Sequence, residues 1–232
     1  MKRIVEPEWL DELPSADPDA VRSRHDLRRL NAWMRNHDIM AGALQNHLNG
    51  SNPEQIIELG AGDGNFLLRV AQKISVRRPN VNVTLLDCRK IVAPHTLTSF
   101  HALGWRAEVV TVDVFDWSHT TDPAEVVVAN LFLHHFYDVS LDGLFRAIAG
   151  RTRLFIAVEP RRTPLSLLGS RLLWAIGCNR VTRHDAEVSV RAGFLGNELS
   201  ALWPDKANWQ LTEQPAGAFS HLFVAQKIRQ PT

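Results

Sequence analysis

Two adjacent histidines, His134 and His135, and a third, His184, which directly precedes Asp185, are the side chains in this sequence best suited to accept a proton near neutral pH. The chain has ten histidines, any of which can simply be packed or solvated; place distinguishes these three. His134 and His135 follow an apolar run that ends at Asn130, and His184 has a carboxylate beside it to orient its ring. A base needs a neighbouring site that holds the reacting molecule. "IIELGAGDGNF", residues 56–66, offers one, with Gly60, Gly62 and Gly64 where a strand turns into a helix. Free N–H groups and a positive helix end at such a turn suit phosphate and carboxylate alike. Glu58, inside the strand end, would oppose a phosphate and attract an ammonium group. The spacing is G-x-G-x-G, without the later glycine of a dinucleotide fingerprint, which disfavours a pyrophosphate. A tight joint with no ligand is the plain alternative.

The elements that position these residues follow from periodicity. Asp17-Pro18 reads as a cap and a helix start, after which Leu27, Leu30, Met34, His37, Ala41, Leu44 and Leu48 recur at steps of three and four as one helix face. Gln55 to Leu59 reads as a strand, Asn65 to Ile74 as a helix and Val81 to Leu86 as a strand. The alternation continues with a helix at 94–103, strands at 108–112 and 124–129, a helix at 141–149 and a strand at 154–158. It demands a parallel sheet covered by helices on both faces. Beyond it come an apolar helical stretch between Thr163-Pro164 and Gly177, a polar segment, "CNRVTRHDAEVSVRAGF", and a short helix before Pro204. Two final strands, at 209–213 and 221–226, are too close for a crossover and must pair antiparallel.

Composition limits what the site can serve. The 232 residues, 45% hydrophobic and 22% charged, suffice for one globular domain with an elaboration. With 26 Lys and Arg against 25 Asp and Glu, and no basic run longer than Arg28-Arg29 or Arg161-Arg162, a nucleic-acid partner is disfavoured and a small molecule is expected. Cys88 and Cys178 lie far apart without metal-ligand spacing, so neither a disulfide frame nor a metal centre is expected, and a reducing, cytoplasmic setting is. "MKRIVEPEWL" lacks the apolar core of a signal peptide, and "LSLLGSRLLWAIGC" is too short to span a membrane and carries Arg171. That stretch reads first as a buried core helix, and otherwise as a greasy wall for a substrate or a patch that touches a membrane. The arginines of "EPRR", residues 159–162, could pair with an anionic substrate or with Glu159.

From residue 55 to 160 the sequence resembles the class I S-adenosylmethionine (SAM) dependent methyltransferases, in particular their small-molecule subgroup. "IIELGAGDGNF" looks like the first motif, "VTLLDCR" like the second, "VVTVDVFDW" like the third and "VVVANLFLHHF" like the element after it. The closing strand pair is similar to the family's reversed final hairpin. This resemblance implies a doubly wound, Rossmann-like α/β fold, a seven-stranded sheet that is mostly parallel with an antiparallel final strand. It implies SAM as cofactor, with Gly60, Gly62 and Gly64 against its amino acid part and Glu58 at the same end. Asp87 would accept the two ribose hydroxyls, Asp113 and Val114 would hold adenine, and Asn130 would lie under the sulfonium. Asp113 can also be read as a cap on the next turn.

The expected units are an N-terminal helical lid (1–50), the SAM-binding core (51–160), an insertion forming the acceptor pocket (161–208) and a closing hairpin (209–232). The expected activity is methyl transfer from SAM to an oxygen or carbon of a small aromatic or polyketide-like acceptor, with His134 or His135 as base and His184 as the alternative. A NAD-type oxidoreductase and a non-catalytic partner that keeps the fold are the competing readings. No N/D-P-P-[YF] signature follows the fourth strand, which counts against amino methylation of nucleic acid. Homodimerisation is left open.

Overall fold

A computed structural model describes residues 1–48, 51–119 and 124–228. In chain order the elements are α1 (Trp9–Glu12), α2 (Pro18–Trp33), α3 (Asn36–Leu48), β1 (Gln55–Leu59), α4 (Asn65–Ile74), β2 (Asn82–Asp87), α5 (Pro94–Ala102) and β3 (Arg106–Thr111). They continue as α6 (Val114–Ser118), β4 (Val126–Asn130), α7 (Asp138–Arg151), β5 (Leu154–Pro160), α8 (Pro164–Arg171), α9 (Arg180–Ala192), α10 (Glu198–Leu202), β6 (Trp209–Ala216) and β7 (Ser220–Lys227). The sheet order is β3-β2-β1-β4-β5-β7-β6, with β7 antiparallel to both neighbours and the other pairings parallel. This is the doubly wound, Rossmann-like arrangement, mostly parallel with one reversed strand, that the resemblance implies.

The central strands are apolar on both faces because helices cover both. Val126 and Val128 of β4, with Ile156 and Val158 of β5, pack towards α3 and α4, whereas Val127, Ala129, Phe155 and Ala157 pack towards α7 and α10. On the second face Phe145, Phe155, Trp203 and Phe223 stack in one aromatic cluster, with ring centroids 5.2 to 6.1 Å apart. The strand order reverses between β1 and β4, and the C-terminal ends of the strands there open a crevice, the usual ligand position of such sheets.

Three expectations change. The single helix face from Leu27 to Leu48 is two helices, because Arg35 takes a left-handed conformation (φ 60°) between α2 and α3. No glycine or proline announces that break; Asn36 Nδ2 donates to Asn31 Oδ1 at 2.9 Å across it. The polar segment after Gly177 is the helix α9, whose Asn179 caps Thr182 N at 2.9 Å and whose buried Val181, Val188 and Ala192 are masked in sequence by buried, hydrogen-bonded Thr182 and Asp185. The stretch read first as a core helix is α8 followed by a turn, and most of its large side chains are exposed. The last two residues of the expected lid, 49–50, and the end of the hairpin unit beyond 228 lie outside the described residues.

Candidate active site

One cavity of about 480 Å³ sits in the crevice at the strand ends. Glu58, Gly60, Gly62, Asp87, Asp113, Val114, Asn130, His134 and His135 all line it, so the structure brings together most of the residues singled out by sequence. Gly64 and His184 are not among the lining residues. Gly64 (φ 71°) serves packing, since a Cβ there would lie 2.8 Å from Leu85 Cδ1. A Cβ on Gly60 would run into the Phe132 ring. Gly62 (φ 55°) differs, because nothing lies within 4 Å of its Cβ position and the residue lines the cavity.

Two buried oxygens in the cavity wall have no hydrogen-bond partner, Glu58 Oε2 and Asn130 Oδ1. Such orphans are costly unless a ligand satisfies them. Asn130 is held in register by its other end: Nδ2 donates to Asn31 Oδ1 at 3.1 Å, Asn31 also accepts from Asn36, and Asn36 Oδ1 accepts from Ser220 Oγ at 2.6 Å. Burial, then the charges of Asp63 and Asp87, push the Glu58 carboxyl well above its usual range. A cation at that spot reverses the effect. At the tip of β2, Asp87 accepts from Gly62 N and Arg89 N, both at 2.8 Å, which ties the glycine turn to the carboxylate. Asp113 caps α6, accepting from Phe115 N at 2.8 Å, so the cap reading holds while the residue also faces the cavity.

The histidines are held differently from one another. Glu159, fully buried at the end of β5, accepts from the backbone N–H groups of Phe132 and Leu133 at 3.1 and 2.9 Å and faces His134 Nδ1 at 2.8 Å. His134 Nε2 faces Glu8 Oε1 at 3.2 Å. Burial alone would lower the His134 pKa, but the hydrogen bonds to Glu159 and Glu8 overcome it and hold the ring at about 9. Burial likewise raises the Glu8 carboxyl, but His134 and the charge of His135 hold it at about 2. His134 is thus a clamped cation at neutral pH, with both nitrogens engaged. His135 lines the cavity with Nδ1 3.4 Å from Asp11 Oδ2. His184 instead stacks on Trp9, 3.8 Å between ring centroids, and bonds Asp185. Among the described residues Glu8, His134 and His135 also form a group with ligand spacing for a metal ion, but a doubly protonated His134 already satisfies both flanking carboxylates.

Residues 56–153 match the family model described as a methyltransferase domain. Over that stretch the chain is similar to a methyltransferase domain. No curated protein sequence matches the chain. The structure is similar to the plantazolicin methyltransferase BpumL in complex with S-adenosylhomocysteine (SAH), at 13% identity and a TM-score of 0.65, covering 92% of each chain. It is also similar to the pyocyanin biosynthetic protein PhzM (15% identity, TM-score 0.62, 96% of this chain and 62% of that one). A third is an O-methyltransferase family protein from Burkholderia thailandensis (18% identity, TM-score 0.55, 92% and 64%). These likenesses establish the methyltransferase fold.

The residues of the cavity fit SAM, the cofactor that the resemblance implies. The unpartnered Glu58 oxygen suits the ammonium of its amino acid part, the unpartnered Asn130 oxygen suits the sulfonium, and the open side of Gly62 leaves room for the ligand. Asp87→Ala should weaken SAH binding about tenfold or more, because charge-assisted hydrogen bonds to hydroxyls contribute roughly 1.5 to 3 kcal/mol each. Titration calorimetry measures this, and unchanged affinity would remove Asp87 from the site.

Sequence reasoning gave residues 1–50 as a lid but, His37 apart, singled out none of the side chains there as functional candidates. Glu8, Leu10, Asp11, Arg24, Leu27, Arg28, Asn31 and His37 line the cavity from the N-terminal side. Asp185 accepts from Trp9 N and Leu10 N at 2.9 and 3.0 Å, and Arg89 Nη1 donates to Leu10 O and Leu13 O at 3.1 and 3.0 Å. Nothing periodic marks residues 1–16, so no sequence signal points to Glu8. From the expected acceptor insertion, 161–208, Ser189 alone lines the cavity. Its role is to hold the N-terminal segment. Arg162 is buried and binds Met1 O, Gly193 O and Glu198, which leaves no face for an anionic substrate.

The Glu8–His134 pair makes stability depend on pH. His134 titrates above its ordinary 6.5, so its contribution is complete below about 6.5 and is lost as pH rises through about 9. Glu8 titrates below its ordinary 4.5, so its contribution is present above about 4.5 and is lost as pH falls towards 2. Glu8→Gln should lower stability between those limits by about 1.5 to 3 kcal/mol and flatten the acid flank. Melting temperatures across pH test this; an unaltered profile would mean that the pair contributes nothing.

Proposed function

We propose that this methyltransferase methylates an oxygen of a small, largely apolar aromatic acceptor such as a phenol, with His135 as general base. The observation that carries this reading is the His135–Asp11 arrangement at the edge of a cavity whose walls include Phe132, Phe136, Leu27 and Ile91. Bound against Gly62, Glu58 and Asn130, SAM supplies an electrophilic methyl group on a sulfonium. With the Asp11 carboxylate 3.4 Å from Nδ1, His135 takes the acceptor's proton and its imidazolium is stabilised by that charge. His134 is a positioning residue: gripped by Glu159 and Glu8, it fixes the turn that carries its neighbour. The apolar side chains of the wall favour an uncharged aromatic guest. Two free cysteines, Cys88 exposed and Cys178 buried, support a cytoplasmic setting. Among the described residues no helix is long and apolar enough to cross a membrane.

The test is methyl transfer from isotopically labelled SAM to a panel of phenols, aromatic carboxylates and amines, read by mass spectrometry. O-methylated phenols should form, and with more apolar ring substituents they should form faster. Transfer to amines alone, or to carbon, would overturn the assignment.

A further inference from the structure

We infer that the face built by α8 and the following turn docks this protein onto an anionic lipid bilayer. The amphipathicity of α8 is inverted. Ser166 and Ser170 are buried, whereas Leu165, Leu168 and Leu172, at steps of three and four, are 56%, 54% and 50% exposed. Trp174 and Ile176 extend the same apolar surface into the turn, at 62% and 45% exposed. Trp33, 63% exposed, joins it through Phe219, whose ring stacks on Trp33 at 5.6 Å and lies 3.0 Å from where a Cβ on Gly169 of α8 would stand. An apolar surface of this extent is not left to water without a use.

The rim decides what covers it. Arg29 Nη2 and Arg22 Nη2 donate to the carbonyls of Ile176 and Gly177 at 3.0 and 3.4 Å, directly behind the apolar tip. Arg183 joins them around Cys178, and Arg171 and Arg180 are exposed nearby. The acidic partners are Asp26 for Arg29, Glu187 for Arg171 and Asp19 for Arg180, so five arginines face three carboxylates and the rim stays positive. A second copy seated on this face by two-fold symmetry would bring the same arginines together, which is unfavourable. An anionic headgroup layer satisfies them, and leucines and tryptophans at the tip suit the headgroup boundary. The face is separate from the catalytic cavity, so docking leaves the cavity free and brings it to acceptors dissolved in the bilayer.

Sedimentation with vesicles of phosphatidylcholine alone, and of phosphatidylcholine mixed with phosphatidylglycerol, tests this. The protein should associate with the mixed vesicles, weakly or not at all with phosphatidylcholine alone, and less as salt rises. Leu165→Ser, Leu168→Ser and Leu172→Ser combined should weaken association about tenfold or more, since each leucine contributes its own buried area. Trp174→Ala, a single surface change, should weaken it in the same direction. Both variants should keep SAH affinity, because none of these residues lines the cavity. No association at low salt, or association that both variants retain, would overturn the inference. So would a dimer in sedimentation equilibrium that the serine variant dissolves while vesicles are ignored.

Discussion

A Gly62→Leu variant should fold and lose SAH affinity by about a hundredfold or more. A leucine at φ 55° costs about 1 to 2 kcal/mol of backbone strain, which a domain of this size survives. Its Cβ meets no protein atom within 4 Å, so the side chain enters the cavity and occupies the space that the cofactor needs. A hundredfold loss corresponds to about 2.8 kcal/mol, less than the overlap of a leucine side chain with a ligand would cost. The neighbouring glycines should behave otherwise. Gly64→Leu would drive a Cβ to 2.8 Å from Leu85 and 3.2 Å from Thr96 Cγ2, and Gly60→Leu would collide with Phe132; both should appear first as lost stability. Melting curves and SAH titrations on the three variants separate the cases. A folded Gly62→Leu protein that binds SAH normally would show that the ligand lies elsewhere.

His135→Gln should lower turnover by a hundredfold to ten-thousandfold, the usual contribution of a positioned general base, while SAH affinity changes little. A phenol with a pKa of about 10 is scarcely ionised at neutral pH, so the variant should recover as pH rises towards that value and solvent supplies the phenolate. His134→Gln should behave differently. Removing one member of a buried charged cluster destabilises by about 3 to 5 kcal/mol, so the fold should weaken along with the rate. Equal, pH-independent losses in both variants, or full activity in His135→Gln, would remove His135 as the base and leave positioning alone to carry catalysis.

The sheet was legible because its strands are nearly continuous apolar runs bounded by turns, and part of the cavity wall was legible because Glu58, Asp87, Asp113 and Asn130 stand at or just past strand ends. The helix break at Arg35 was hidden, since an arginine in a left-handed conformation leaves no compositional mark. The period of α9 was hidden by polar residues that are buried and satisfied, as Thr182 and Asp185 are. Glu8 and Asp11 could not be anticipated, because they approach His134 and His135 from more than a hundred residues away in the chain. The same distance explains why the sequence could not tell a clamped histidine from its neighbour: only the second carboxylate on His134, Glu8, makes the difference.

The most direct test of the central claim is calorimetric titration with SAH, with 5′-methylthioadenosine, which lacks the amino acid part, and with NAD. If Glu58 holds the ammonium, SAH should bind about tenfold or more tightly than methylthioadenosine. Glu58→Gln should shrink that difference, and NAD should not bind. Equal affinity for SAH and methylthioadenosine, or binding of NAD in place of SAH, would contradict the account.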